Sequence, residues 1–148
     1  MEVGSIMQRN LVTASGEASL SDVAKIIHER GVGSVIIVEE GRVLGILTER
    51  DVIAAVAEGL DLYTTKAKDH ETHDVVYVTP QTSLEEAARS MVMRGIRHLP
   101  VIDKNQLVGI VSIRDLTRWS VSELSSDVGE LPHIELAQKV LSLSHGHR

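Results

Sequence analysis

Apolar residues recur at Leu20, Val23, Ala24 and Ile27 and again at Leu84, Ala87, Ala88 and Met91. This i, i+3, i+4, i+7 spacing lays one apolar stripe along an amphipathic helix. Ser19 and Ser83 stand before the two runs as N-caps, and Gly31 and Gly95 follow where a left-handed C-cap belongs. After each helix comes a continuous apolar run, Val35–Val38 or Leu99–Ile102, then a polar turn and a second run, Arg42–Leu47 or Gln106–Val111. The pattern predicts a hairpin in each case. A second helix is expected to start near Thr48 and near Ser112. Ahead of each first helix a short strand is expected, Leu11–Ala14 or Val75–Val78, ended by Ser15-Gly16 or Thr79-Pro80.

The order strand, helix, strand, strand, helix therefore occurs twice, and the copies are related in sequence. Residues 11–52 align without a gap on residues 75–116 at an offset of 64, with identities at Ser19-Leu20 and Ser83-Leu84, Arg30-Gly31 and Arg94-Gly95, Gly45-Ile46 and Gly109-Ile110, and Arg50-Asp51 and Arg114-Asp115. The expected organisation is repeat 1 over 4–60, a polar linker over 61–74, repeat 2 with its lead-in over 67–118, and a tail over 119–148. Within that tail Ile134–Leu143, after Pro132, has the spacing of a short helix. The fold class is α/β of the α+β type. Each repeat is a small sheet flanked by two helices, and pseudo-two-fold symmetry would bury the two apolar sheet faces together.

Composition narrows the chemistry. At 148 residues the chain is long enough for a proper core. It has no Phe, one Trp and two Tyr, so that core is built from Val, Ile, Leu and Ala, and stacking platforms for single-stranded nucleic acid are not expected. Without cysteine there are no disulfides, thiolate metal sites or Cys nucleophiles, which fits a cytoplasmic address. Residues 1–7 have neither the basic nor the apolar region of a secretory signal and are read as part of the fold. A net charge of −6 and short apolar runs argue against bulk affinity for nucleic acid or membrane.

Gly95-Ile96-Arg97-His98-Leu99-Pro100-Val101-Ile102-Asp103 and Leu107 to Leu116 closely resemble the signature of the CBS (cystathionine β-synthase) domain, and Gly31–Val38 with Val43–Val52 resembles it too, with Ile36 in place of the proline. The resemblance covers about residues 4–118. It implies a tandem pair, a Bateman module, that binds AMP, ADP, ATP or S-adenosylmethionine in clefts between the repeats, regulates a protein target rather than catalysing a reaction, and pairs into a homodimer. Such pairs sit within a larger enzyme or channel or stand alone; this chain is expected to stand alone and to require no cofactor.

The same resemblance nominates site residues. Thr48-x-x-Asp51 and Ser112-x-x-Asp115 match the family element whose carboxylate accepts from ribose hydroxyls, and a charged acceptor suits a diol. The spacing is equally that of a capping box at a helix start. Arg97 and His98, replacing Gly33 and Ser34 of the first copy, match positions that face phosphate; Arg offers a planar fork and His one or two donors. A solvated loop is the plainer reading. Arg50 and Arg114 contact phosphate or pair with surface acids. Thr13 and Tyr77 match positions beside the adenine, and Val35, Ile36, Leu99, Pro100 and Val101 would line the slot for the ring or serve as core. The uncharged Gly33-Ser34 loop, with Ile36 in place of proline, argues against phosphate binding by the loop of the first copy, so the two sites are not expected to be equivalent. Helix starts at Thr48 and Ser112 would favour an anion in either.

Other groups of residues are weaker. His70-x-x-His73 with Glu71 and Asp74 has the residue types of a metal site but lies in a polar linker, and no metal is expected. No Ser-His-Asp order or P-loop is present, so enzymatic activity is not expected. Two other readings stay open: a ligand-free dimeric scaffold, and an S-adenosylmethionine-binding pair.

Overall fold

The structure, a computed structural model, describes residues 1–70 and 75–126, with side chains through Glu123. The chain forms two units. Asn10–Val75 makes one, and Met1–Arg9 joins the chain from Val76 onward to make the other. The lead-in to the first repeat thus folds with the second.

In the first-repeat unit, strand β1 (Thr13–Ser15), helix α1 (Leu20–Arg30), strands β2 (Ser34–Glu39) and β3 (Arg42–Thr48), and helix α2 (Glu49–Ala57) follow in the expected order. The sheet runs β1-β2-β3, with β1 parallel to β2 and β2 antiparallel to β3. Ser19 Oγ accepts from Asp22 N at 3.1 Å and Gly31 closes the helix at φ 62°, so both ends of α1 are capped as the sequence implied. Leu20, Val23, Val35, Ile37, Leu47, Ala55 and Ala67 form the core. The hairpin turns on Glu40 and Gly41, both at positive φ, which suits the twist of the strands it joins.

In the second-repeat unit, α3 (Leu84–Arg94), β4 (His98–Asp103), β5 (Gln106–Ser112) and α4 (Ile113–Ser126) repeat the arrangement. Its core contains Leu84, Ala87, Ala88, Met91, Leu99, Val101, Val111 and Leu116, together with Val3 and Met7 of the lead-in. The expected strand Val75–Val78 is reduced to a single parallel bridge, Val78 to Val101. Proline is the reason. Ile36 N donates to Val12 O in the first repeat, and its counterpart Pro100 has no N–H to offer Val76. Helix α4 also continues beyond residue 118 to Ser126. The short helix over Ile134–Leu143, His145 and His147, and Glu71, His73 and Asp74 lie outside the described residues.

Both lead-ins are used alike, each by the unit in which it folds. Val3 N donates to Thr82 O, Gly4 N to Pro80 O, and Leu84 N to Met1 O in the second-repeat unit. Sixty-four positions on, Ala67 N donates to Ala18 O, Lys68 N to Gly16 O, and Leu20 N to Thr65 O in the first. Glu17 clamps the second of these lead-ins with 2.6 Å bonds from both Lys66 Nζ and Lys68 Nζ. The hydrogen bonds from Lys66 and Lys68, reinforced by their charges, lower the Glu17 pKa to about 2, and Glu17 raises that of Lys68.

Candidate functional site

Each unit builds the same device where its hairpin feeds its second helix. Ser34 pairs with Thr48 across the β2–β3 ladder, and His98 with Ser112 across β4–β5. The loop before the hairpin is tied to the helix start: Glu49 N donates to Gly33 O at 3.1 Å, and Ile113 N donates to Arg97 O at 2.9 Å. Arg97 and His98 are therefore brought beside Ser112, Arg114 and Asp115 by backbone pairing alone. Arg97 and Arg114 make no ion pair among the described residues.

Both Asp residues are in capping boxes. Asp51 Oδ2 accepts from Thr48 N at 2.8 Å and Thr48 Oγ1 at 3.0 Å, while Asp51 N donates to Thr48 Oγ1 at 3.3 Å. Asp115 Oδ2 accepts from Ser112 N at 2.8 Å and Ser112 Oγ at 2.9 Å, and Asp115 N donates to Ser112 Oγ at 3.3 Å. The cap uses one oxygen of each carboxylate and fixes where the other points, so capping and ligand binding are compatible duties of one residue.

The second oxygens differ. Asp51 Oδ1 meets no partner among the described residues. Asp115 Oδ1 accepts from Gln8 Nε2 at 3.0 Å and lies 4.0 Å from Arg118 Nη1. Asp115 is 7% exposed. Around it Ile6, Gln8, Asp115, Arg118, Trp119 and Ser122 line an open cavity of about 330 Å³ within the second-repeat unit. The sequence reading did not single out Gln8, Arg118 or Trp119. The signal it left unused was apolar spacing in the lead-in, Val3, Ile6 and Met7, which marks that segment for burial.

The residues named for an adenine slot separate by face. Val35, Leu99 and Val101 are fully buried in the two cores, so their side chains are committed to packing. Ile36 and Pro100 alternate with them on the opposite face and are buried as well. Thr13, opposite Ile36 in the ladder, is exposed, and Tyr77 is 59% exposed beside the Val78 bridge. Among the described residues no group of three or more His, Asp and Glu side chains could hold a metal. No helix of the described residues is long and apolar enough to cross a membrane.

Two units of this build, each with a capped carboxylate at its hairpin-to-helix junction, define a tandem repeat of one sheet-and-helix module. The CBS domain family model matches residues 3–58 and 67–122, and the chain belongs to that family. It is 34% identical over 122 residues to the CBS domain-containing protein YhcV of Bacillus subtilis, covering 82% of this chain and 84% of that protein. It is 37% identical over 119 residues to an uncharacterized protein of Methanopyrus kandleri, covering 78% of this chain and spanning 61% of that relative's length. The CBS domain pair of protein MJ0100, solved in complex with 5′-methylthioadenosine and S-adenosyl-L-methionine, superposes with a TM-score of 0.77 at 26% identity, over 83% of this chain and 98% of that one.

Proposed function

We propose that this CBS pair senses an adenosine-containing small molecule and modulates a partner protein, with Asp51 and Asp115 as the ribose acceptors. The observation that carries the reading is the division of labour in each carboxylate: Oδ2 belongs to the cap, and Oδ1 lies outside it, without a partner among the described residues in Asp51 and beside Gln8 and the open cavity in Asp115. A diol donating to a carboxylate oxygen forms charge-assisted hydrogen bonds. Thr13 and Tyr77, both exposed next to the buried Ile36 and Pro100, supply the surface for the base. Arg97 and Arg114, with His98 and the α4 N-terminus, favour a phosphate-bearing ligand, AMP, ADP or ATP, at the second repeat. CBS pairs act in general as regulators rather than catalysts. Regulation here requires that the ligand favour one arrangement by a coupling of about 1–3 kcal/mol.

A second reading has its own support. The ligands of the MJ0100 pair are 5′-methylthioadenosine and S-adenosylmethionine, and the segment entering β2 opposite Thr48 is the uncharged Gly33-Ser34. Such a segment suits an adenosyl group without phosphate at the first repeat. Melting temperature measured against AMP, ADP, ATP, S-adenosylmethionine and 5′-methylthioadenosine separates these readings, because a ligand at 100 times its Kd stabilises by about 2.7 kcal/mol. Asp51→Asn is the informative variant. Its amide oxygen still accepts from Thr48, so the cap survives, while the oxygen offered to a diol becomes an N–H₂ donor. No shift with any of the five supports the scaffold reading instead.

A further inference from the structure

Gln8 occupies in the second repeat the acceptor whose counterpart, Asp51 Oδ1, meets no partner among the described residues. We infer that Gln8 is a built-in competitor at Asp115, making Asp51 the stronger site and the second repeat a weaker one that fills only when the Gln8 side chain swings away. The inference rests on the proposal that these carboxylates take the ribose.

The argument is one of lone pairs. A carboxylate has about four acceptor positions, two on each oxygen. Ser112 N and Oγ take both on Asp115 Oδ2, and Gln8 Nε2 takes one on Oδ1 at 3.0 Å. A diol has two O–H groups to place and finds one position left. Asp51 Oδ1, without a partner among the described residues, offers both. The offset of 64 gives the sequence side of the difference, since the position equivalent to Gln8 is Thr72, which carries a hydroxyl and no amide.

Gln8 cannot yield by moving its backbone. Gln8 N donates to Ile110 O at 2.8 Å, and Ile110 N donates to Gln8 O at 3.0 Å. Just before it, Met7 is 8% exposed in the core. The side chain is what can rotate, and the open cavity beside Asp115, with Ser122 on its rim, gives it somewhere to go. A ligand at Asp115 must therefore displace a hydrogen bond to a charged acceptor. That displacement weakens binding by about tenfold or more relative to an open carboxylate.

The test is calorimetric titration of the full chain with AMP and with 5′-methylthioadenosine, in wild type and in the Gln8→Leu, Asp51→Asn and Gln8→Leu/Asp51→Asn variants. Leu keeps the bulk of Gln8 without its donor. The expected result is one strong site per chain in wild type, lost in Asp51→Asn, a second in Gln8→Leu tightened about tenfold or more, and binding restored in the double variant through Asp115. Binding in wild type at two equal sites, unchanged by Gln8→Leu, overturns the inference and leaves the functional reading standing. Weaker binding in Gln8→Leu also overturns it, by making Gln8 a ligand contact. Absence of binding in all four chains overturns the functional reading itself, and the inference with it. Circular dichroism melting of each variant checks that the fold is kept.

Discussion

Met7 lies directly over Gly109: a Cβ built on Gly109 would stand 2.7 Å from Met7 Sδ and 3.0 Å from the Gln8 carbonyl oxygen. No side chain fits there without moving the lead-in. Gly109 is thus a packing glycine, needed for close backbone approach rather than for an unusual dihedral. Gly109→Ala is expected to destabilise by about 1–3 kcal/mol, the usual cost of overpacking. Hydrogen exchange at the Gln8 and Ile110 amides should rise well beyond exchange in α3. Unchanged protection at Gln8 would show that the methionine side chain adapts and the lead-in stays.

The two capped carboxylates should not be equivalent when removed. Asp115→Ala deletes the acceptor of Ser112 N, Ser112 Oγ and Gln8 Nε2, whereas Asp51→Ala deletes the acceptor of Thr48 N and Oγ1 alone. Losses of about 2–4 and about 1–2 kcal/mol are expected, respectively. Urea unfolding of both variants measures the difference. Equal midpoints would mean that the Gln8 bond contributes nothing net.

Pro100 shortens the first strand of the second repeat, and restoring the missing donor should lengthen it. Pro100→Ile supplies an N–H that can reach Val76 O as Ile36 N reaches Val12 O. A protected amide at position 100 is the expected outcome in hydrogen exchange. The added hydrogen bond, about 0.5–1.5 kcal/mol, and the lost rigidity of proline, about 0.4–1 kcal/mol, nearly cancel in stability. Rapid exchange at residue 100 would refute the assignment of the shortened strand to proline.

Acid should release the lead-in held by Glu17. The Glu17 pKa is depressed from the ordinary 4.5 to about 2, chiefly by the hydrogen bonds from Lys66 and Lys68. A lowered acid pKa contributes stability above the unfolded value that is lost as pH falls through the folded one, so the window runs from pH 4.5 down to about 2. The side chains are about half exposed, and solvent screens the effect. Titration of the Glu17 carboxyl carbon by NMR should give a midpoint well below 4.5, and Glu17→Gln should remove the acid-induced exchange of the Ala67 and Lys68 amides. A midpoint near 4.5 would show that the triad does not persist in solution.

What the sequence made legible was what is written locally. Ser19, Ser83, Gly31 and Gly95 sit within four residues of the groups they cap, and the hairpins are set by runs and turns a few residues long. The capping role of Thr48 and Ser112 was legible for the same reason. The contact of Gln8 with Asp115 was not, because it spans 107 positions and depends on which repeat the lead-in joins. The burial of Val35, Leu99 and Val101 against Ile36 and Pro100 was hidden differently. A strand apolar on both faces shows no alternation to read. The effect of Pro100 needed knowledge of which strand pairs with it.

The docking of the lead-in on the second repeat has a consequence in time. At a synthesis rate of about 5–20 residues per second, Gln8 emerges from the ribosome about 5–20 s before Asp115 exists. Hairpins close in microseconds, so the first repeat is complete while residues 1–9 still have nothing to pack on. Val3, Ile6 and Met7 pass that interval as exposed apolar residues on a nascent chain, and in living cells the wait for β5 is when this protein most needs a chaperone.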